Sequence, residues 1–176
     1  MNEFFQRVIR ALKLEAALFE EVEADRDATT QAIGVVLLSG IAAGIGSSGR
    51  GLAGGILLLT TASVLAWVVW AVVTYVIGTK LLPGARTEAD VGQLLRTVGF
   101  SSAPGVIQVL GVIPVLAGAV FVVASVWMLV AMVIAVRQAL DYESTARAVG
   151  VCLIGWGVQI VLLGVLLPAW SPPPAV

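Results

Sequence analysis

The charged residues of this chain fall into a few short clusters, and the stretches between them are apolar for longer than a soluble core requires. Residues 28–49, 51–79, 97–136 and 148–176 contain no Asp, Glu, Lys or Arg. An α-helix rising 1.5 Å per residue crosses a hydrocarbon core of about 30 Å in roughly 20 residues, and each stretch is at least that long. Charged residues make up 12% of the chain, and mean hydropathy is +1.02; a soluble domain carries roughly 25% charged residues. The pattern predicts an all-α polytopic membrane protein in one domain with a short polar head.

The charges also set a topology. With five spans and the N-terminus inside, Arg7, Arg10, Lys13, Arg26, Lys80, Arg86, Arg96, Arg137 and Arg147 lie in the cytoplasm, and only Arg50 lies outside. Such asymmetry is the positive-inside rule. All of the Asp and Glu residues fall on the inner face as well. The expected organisation is a cytoplasmic head at 1–30, a five-span bundle at 31–170 (31–47, 52–82, 97–113, 115–136 and 146–168) and a short Pro-rich tail at 171–176. The C-terminus is then external, and the inner membrane of a bacterial cell is the expected location. Arg outnumbers Lys eight to two, a weak sign of a GC-rich genome.

Residues 2–19 read as one amphipathic helix. Phe5, Ile9, Leu12, Ala16 and Phe19 recur at steps of three and four, with Gln6, Arg7, Arg10 and Lys13 on the other side. Such a helix lies in the headgroup region with its stripe in lipid, or packs on the protein's own loops. The acidic run from Glu20 to Asp27 is expected to be solvated. The polar region before the first apolar run is long and both acidic and basic, unlike a secretory signal peptide.

Within the spans, Gly40 and Gly44 have GxxxG spacing, which lets a second helix approach. Trp67 and Trp70 sit mid-span and read as packing residues. Pro83-Gly84 ends the second span, and Thr87-Glu88-Ala89-Asp90 signals a new helix start. The 97–113 segment is the difficult one, because it is short for a span and contains Pro104. Only if it crosses do Arg137 and Arg147 stay inside; a membrane-dipping hairpin is the alternative. Pro104 removes a donor and crowds the carbonyl of Phe100, so a bent helix is expected here. Ser101, Ser102 or a neighbouring helix supplies the missing hydrogen bond, and Gly99 admits another backbone. Cys152 is expected to be protected by lipid or packing.

Composition excludes most chemistry. There is no His and one Cys, so neither a His/Cys metal site nor an internal disulfide can form. No acid lies within a span, and the serines Ser63, Ser101, Ser102 and Ser125 have no base beside them. Neither an enzyme nor a cofactor is expected. Gln108 and Gln159 are the intramembrane amides, read as helix–helix hydrogen-bonding groups. A net charge of −1 offers no bulk attraction to nucleic acid.

Gly99-Phe100-Ser101-Ser102-Ala103-Pro104 resembles the Gly-Tyr/Phe-Ser-x-x-Pro element of the Yip family, Rab-GTPase-interacting membrane proteins of the endoplasmic reticulum and Golgi with bacterial relatives. Leu18-Phe19-Glu20-Glu21-Val22 is similar to the segment before the first span in bacterial members. The likeness covers about residues 4–168, and the eukaryotic Asp-Leu-Tyr-Gly-Pro motif is absent. The resemblance implies a non-enzymatic membrane protein with a cytoplasmic N-terminus, acting in membrane organisation or as an adaptor. Its expected partners are the lipid bilayer and, on the cytoplasmic face, another protein or a second copy of itself. Glu20, Glu21, Glu23, Arg86 and Arg137 are the candidate contact residues. The rival reading is a small permease or channel subunit with a polar path near Pro104.

Overall fold

A computed structural model describes the backbone of residues 2–47, 52–85 and 87–169, with side chains described except at 52–54 and 162–169. Arg50, Arg86 and the Pro-rich tail lie outside the described residues. Among the described residues, seven α-helices run α1 Glu3–Leu12, α2 Ala16–Ala24, α3 Ala28–Gly46, α4 Leu52–Val76, α5 Val91–Ser101, α6 Pro114–Ala139 and α7 Thr145–Ala169. A π-helical turn, Ile77–Leu81, continues α4, and a 3₁₀ segment, Ala103–Val112, follows α5. No strand occurs among the described residues.

Among the described residues, three helices are long and apolar enough to cross a membrane: Ala28–Gly46, Gly55–Leu81 and Pro114–Ala139. Thr145–Val161 adds a shorter apolar helix. The expectation of five such spans is therefore corrected to three on helix length and composition. The fifth apolar stretch, 97–113, is no continuous α-helix. Large apolar side chains point outward along α4, α6 and α7, among them Leu57, Leu65, Phe121, Val126, Leu153 and Ile160. Water would penalise so large an apolar surface, and acyl chains would not.

α3 sits at the centre, packed on α4, α5 and the 3₁₀ segment, which is itself wedged between α3 and α6. α7 lies against α6 and α4. The Gly40 and Gly44 spacing works as expected. A Cβ on Gly40 would stand 2.8 Å from the Cα of Thr60, and one on Gly44 would strike the backbone of Ile56, so α3 and α4 meet backbone to backbone. Cys152 is buried.

The single N-terminal helix expected over 2–19 is two helices. Leu14 takes a left-handed conformation, φ 60°, and the Glu15 amide reaches back to the Arg10 carbonyl at 3.1 Å. This is the terminating turn that glycine usually makes. A Cβ-bearing residue is strained there, and α6 braces the turn: Trp127 Nε1 donates to the Leu12 carbonyl at 3.1 Å. The acidic run is likewise not a solvated linker, because residues up to Ala24 form the amphipathic α2, with Leu18, Phe19 and Val22 fully buried.

The bend expected at Pro104 is a change of helix type. α5 ends at Ser101, and Pro104 sits in the first turn of the 3₁₀ segment, where a missing N–H is tolerated. A 3₁₀ helix rises about 2.0 Å per residue. The 97–113 segment therefore reaches about 30 Å, where an α-helix of that length would reach about 26 Å.

Candidate functional site

Two sets of residues carry the polar chemistry of the fold: a charged cluster where α1 and α2 dock on the bundle, and a cavity inside the bundle. The cluster centres on Arg7, only 5% exposed. Its guanidinium meets Glu3 at 2.9 Å, Glu21 at 2.9 Å and Asp25 at 2.8 Å, and donates to Oε1 of Gln31 at 3.2 Å. Arg10 adds Glu15 at 3.0 Å and the other oxygen of Glu21 at 2.5 Å. Arg7 sits on the polar side of α1, but that side faces α2 rather than water. Desolvation of Arg7 opposes its charge, and the hydrogen bonds it donates to Glu21 and Asp25 outweigh it, raising its pKa. The same bonds lower the carboxyls of Glu21, chiefly through Arg10, and Asp25, through Arg7. A guanidinium removed from water needs this many partners to be tolerated.

Arg96 joins the head to the bundle. It leaves α5 and is 7% exposed. Its Nε donates to the carbonyl oxygens of Val22 at 2.9 Å and Glu23 at 3.1 Å, and its Nη2 donates to Glu23 as well. Those carbonyls close α2, and the last carbonyls of a helix have no partner within it. A cation placed there also complements the helix dipole.

Around this joint the acids converge. Burial pushes the Glu23 carboxyl up to about 7; the charges of Asp141, Glu20 and Asp90 add to the shift, and Arg96 opposes it. These four carboxyls come from α2, from the start of α5 and from the α6–α7 turn. Asp90 also caps α5 in a reciprocal pair with Gln93. Of the residues expected to meet a partner, Glu20 is exposed and accepts from Gln138 at 2.5 Å. Glu21 is engaged by Arg7 and Arg10, and Glu23 is half-buried. Arg137 closes the end of α6, donating to the Tyr142 carbonyl at 3.2 Å.

The second set lies in the membrane part. A cavity of about 300 Å³ is bounded by α3, α4, α5, the 3₁₀ segment, α6 and α7, and Gln108 and Gln159 both line it. Sequence separation hid this meeting. Ser39, Ser63 and Ser102 also line it, as do Trp67, Trp70, Met128 and Met132. Ser39 Oγ donates to the Ser102 carbonyl at 2.5 Å, so α3 supplies a hydrogen bond at the break. It reaches Ser102, however, and not Phe100. Ser101 turns away and donates to Val98 at 2.7 Å. Gly99 lies against α3: a Cβ there would stand 2.7 Å from the Cβ of Ala32. Phe100 and Pro104 are buried beside it.

Trp67 and Trp70 have a polar task that their mid-span positions concealed. Trp67 Nε1 donates to the Leu95 carbonyl at 2.9 Å, and Trp70 Nε1 faces the Met132 sulfur at 3.1 Å. No group of three or more His, Cys, Asp or Glu able to hold a metal occurs among the described residues.

A family model described as the Yip1 domain matches residues 14–166, a span that contains α2, the break at Pro104 and the membrane bundle. No curated protein and no solved structure matches the chain.

Proposed function

The chain belongs to the Yip1 domain family, and from that premise we infer that it is a non-enzymatic multi-pass membrane protein that works by binding, as an adaptor or scaffold on its cytoplasmic face. In this reading α3, α4, the 97–113 segment, α6 and α7 make five crossings, with the N-terminus inside and the C-terminus outside. The 3₁₀ geometry supports the third crossing, because it stretches a short segment to about the thickness of the hydrocarbon core. The charge split supports the direction. The bacterial inner membrane is the proposed location.

One observation carries the binding role. Glu20 of α2 accepts from Gln138 of α6, three residues before Asp141, so the exposed carboxyls of Glu20 and Asp141 lie close on a head that Arg7 and Arg96 fasten to the bundle. A partner therefore meets a fixed acidic surface, and a basic patch on a protein or on a second copy is its complement. Such charge pairing contributes specificity and on-rate more than affinity.

The test leaves the Arg7 and Arg96 joints in place, and Gln at position 20 can still accept from Gln138. Glu20→Gln with Asp141→Asn removes two exposed carboxylates and leaves Arg7, Glu21 and Arg96 in place; Asn also tolerates the left-handed backbone at 141, φ 50°. Cross-linking of the intact protein in its native membrane should give fewer adducts for the double variant, with the difference shrinking as salt rises. Equal adducts at every salt concentration would defeat the reading.

The rival reading, a permease or channel subunit, draws on the cavity at Gln108 and Gln159. Against it, Val36, Trp67 and Val98 of the lining belong to one packed cluster with Phe19, Val22 and Phe100 of the cytoplasmic half. A solute would have to part that cluster to cross.

A further inference from the structure

The two half-buried carboxamides of the bundle call for something the described side chains do not provide. Gln108 and Gln159 come from different segments, line one cavity, and make no side-chain hydrogen bond to any described residue. In a bilayer an amide without a partner is costly. The other polar groups of the lining have already spent their donors. Ser39 Oγ donates to Ser102, Ser63 Oγ to Leu59 at 2.8 Å, and the Trp67 and Trp70 indoles to Leu95 and Met132. What remains is two NH₂ groups that can donate, with carboxamide and hydroxyl oxygens that can accept. All of these stand on a wall of Val36, Val98, Met128, Met132 and two indole faces.

We propose that this cavity binds an uncharged amphiphile, an alcohol or amide with one apolar end, held by Gln108 and Gln159 at its polar end and by the indole and methionine wall along its body. A charge is excluded by the lining, which holds no ionisable side chain to meet it. Size follows from volume: about 300 Å³ is at the small end of ligand pockets, and a cavity of about 150 Å³ takes one benzene-sized molecule. The ligand therefore has about ten to fifteen heavy atoms. This inference does not depend on the adaptor reading.

Trp67 and Trp70 provide the readout. In the full chain in detergent, with Trp127, Trp156 and Trp170 changed to Phe, bromo-octanol should quench the remaining fluorescence saturably. Bromo-octane, equal in length but lacking the hydroxyl, should quench only in proportion to its partitioning. Gln108→Leu with Gln159→Leu should weaken the alcohol's apparent affinity by about tenfold or more and leave the alkane curve unchanged. If that pair fails to fold, Gln108→Asn with Gln159→Asn serves the same purpose by withdrawing each amide one methylene. Bromoethanol separates the sources: saturation by it as well as by bromo-octanol means the site also takes water-borne ligand, and saturation by bromo-octanol alone means supply from the lipid. Saturation by bromoethanol alone, or identical curves for bromo-octanol and bromo-octane, would overturn the proposal and assign the cavity to water or to non-specific lipid.

Discussion

Replacing Arg96 by Met should release the head from the bundle without unfolding the bundle. Arg96 makes three hydrogen bonds to only two carbonyls, those of Val22 and Glu23. A hydrogen bond with a charged partner contributes about 1.5–3 kcal/mol net, and a cation at a helix C-terminus about 0.3–1 kcal/mol. Counting two bonds at the lower end gives about 3 kcal/mol, with little more expected because the freed carbonyls regain water when α2 lifts. The apolar contacts of Leu18, Phe19 and Val22 with Val98 and Phe100 survive the change, since Met replaces the stem of the arginine. A loss of about 3 kcal/mol raises the open population of the head about a hundredfold, at 1.4 kcal/mol per factor of ten. Hydrogen exchange read by mass spectrometry should show this as faster exchange confined to α1 and α2, with α3 and α6 amides as slow as in the parent protein. Arg96→Lys keeps the charge but not the fork, so its exchange should fall between the two. If α2 in the Met variant exchanged within threefold of the parent, the joint would not be what holds the head.

Three further outcomes follow from the same geometry. The folded state holds the Glu23 proton more tightly, about 7 against an ordinary 4.5, so the stability tied to neutral Glu23 is complete below about pH 4.5 and lost as pH rises towards 7. Allowing for solvent at a half-buried group, head docking should weaken by about 1–2 kcal/mol across that window. Glu23→Gln should flatten that slope in the α2 exchange rates, and an unchanged slope would assign it to another group. Gly99→Ala should lower the thermal midpoint: its Cβ would stand 2.7 Å from that of Ala32, and overpacking of about 1–3 kcal/mol exceeds the roughly 1 kcal/mol that Ala gains in helix propensity. Gly99→Ala with Ala32→Gly should recover part of the loss, and no recovery would place the strain elsewhere. Ser39→Ala should cost more than Pro104→Ala, about 1–2 kcal/mol against less than 1 kcal/mol, because Ser39 satisfies the Ser102 carbonyl whereas Pro104 only starts a 3₁₀ turn. The reverse order by thermal unfolding would return the break to Pro104 alone.

Much of the architecture could be read before any coordinates, and for identifiable reasons. Long uncharged runs have one cheap conformation in lipid, so their helices and the Gly40–Gly44 contact followed directly from composition and spacing. The start of α5 was legible because a capping box is local: Asp90 and Gln93 are three residues apart and pair with each other. Where local rules compete, the reading failed. The stripe in residues 2–19 continues past Leu14 without a break, and only a backbone turn at a leucine divides it. That turn is stabilised by α6, more than a hundred residues later in the chain. The acidic run after it looked solvated because charge was weighed above the three buried apolar residues interleaved with it.

The site was less legible than the fold because its partners are distant in sequence and its bonds go to backbone. Arg96 is ordinary on a charge count; it becomes the joint only when α2 delivers two carbonyls to it from residues 22 and 23. Nothing in residue types marks a carbonyl as an acceptor in waiting, but its position does. α2 ends with no glycine after Ala24 and no basic residue in its last turn, so a donor had to come from elsewhere. Arg7 and Arg96 are the buried cations among the described residues, and Arg96 lies on a helix that packs on α2. The same reasoning applies in the membrane, with fewer choices. Each polar side chain in a span needs a partner, and the Ser39 hydroxyl finds the Ser102 carbonyl across the break. Gln108 and Gln159 share a cavity and have no described partner, and that remainder is what points to a ligand.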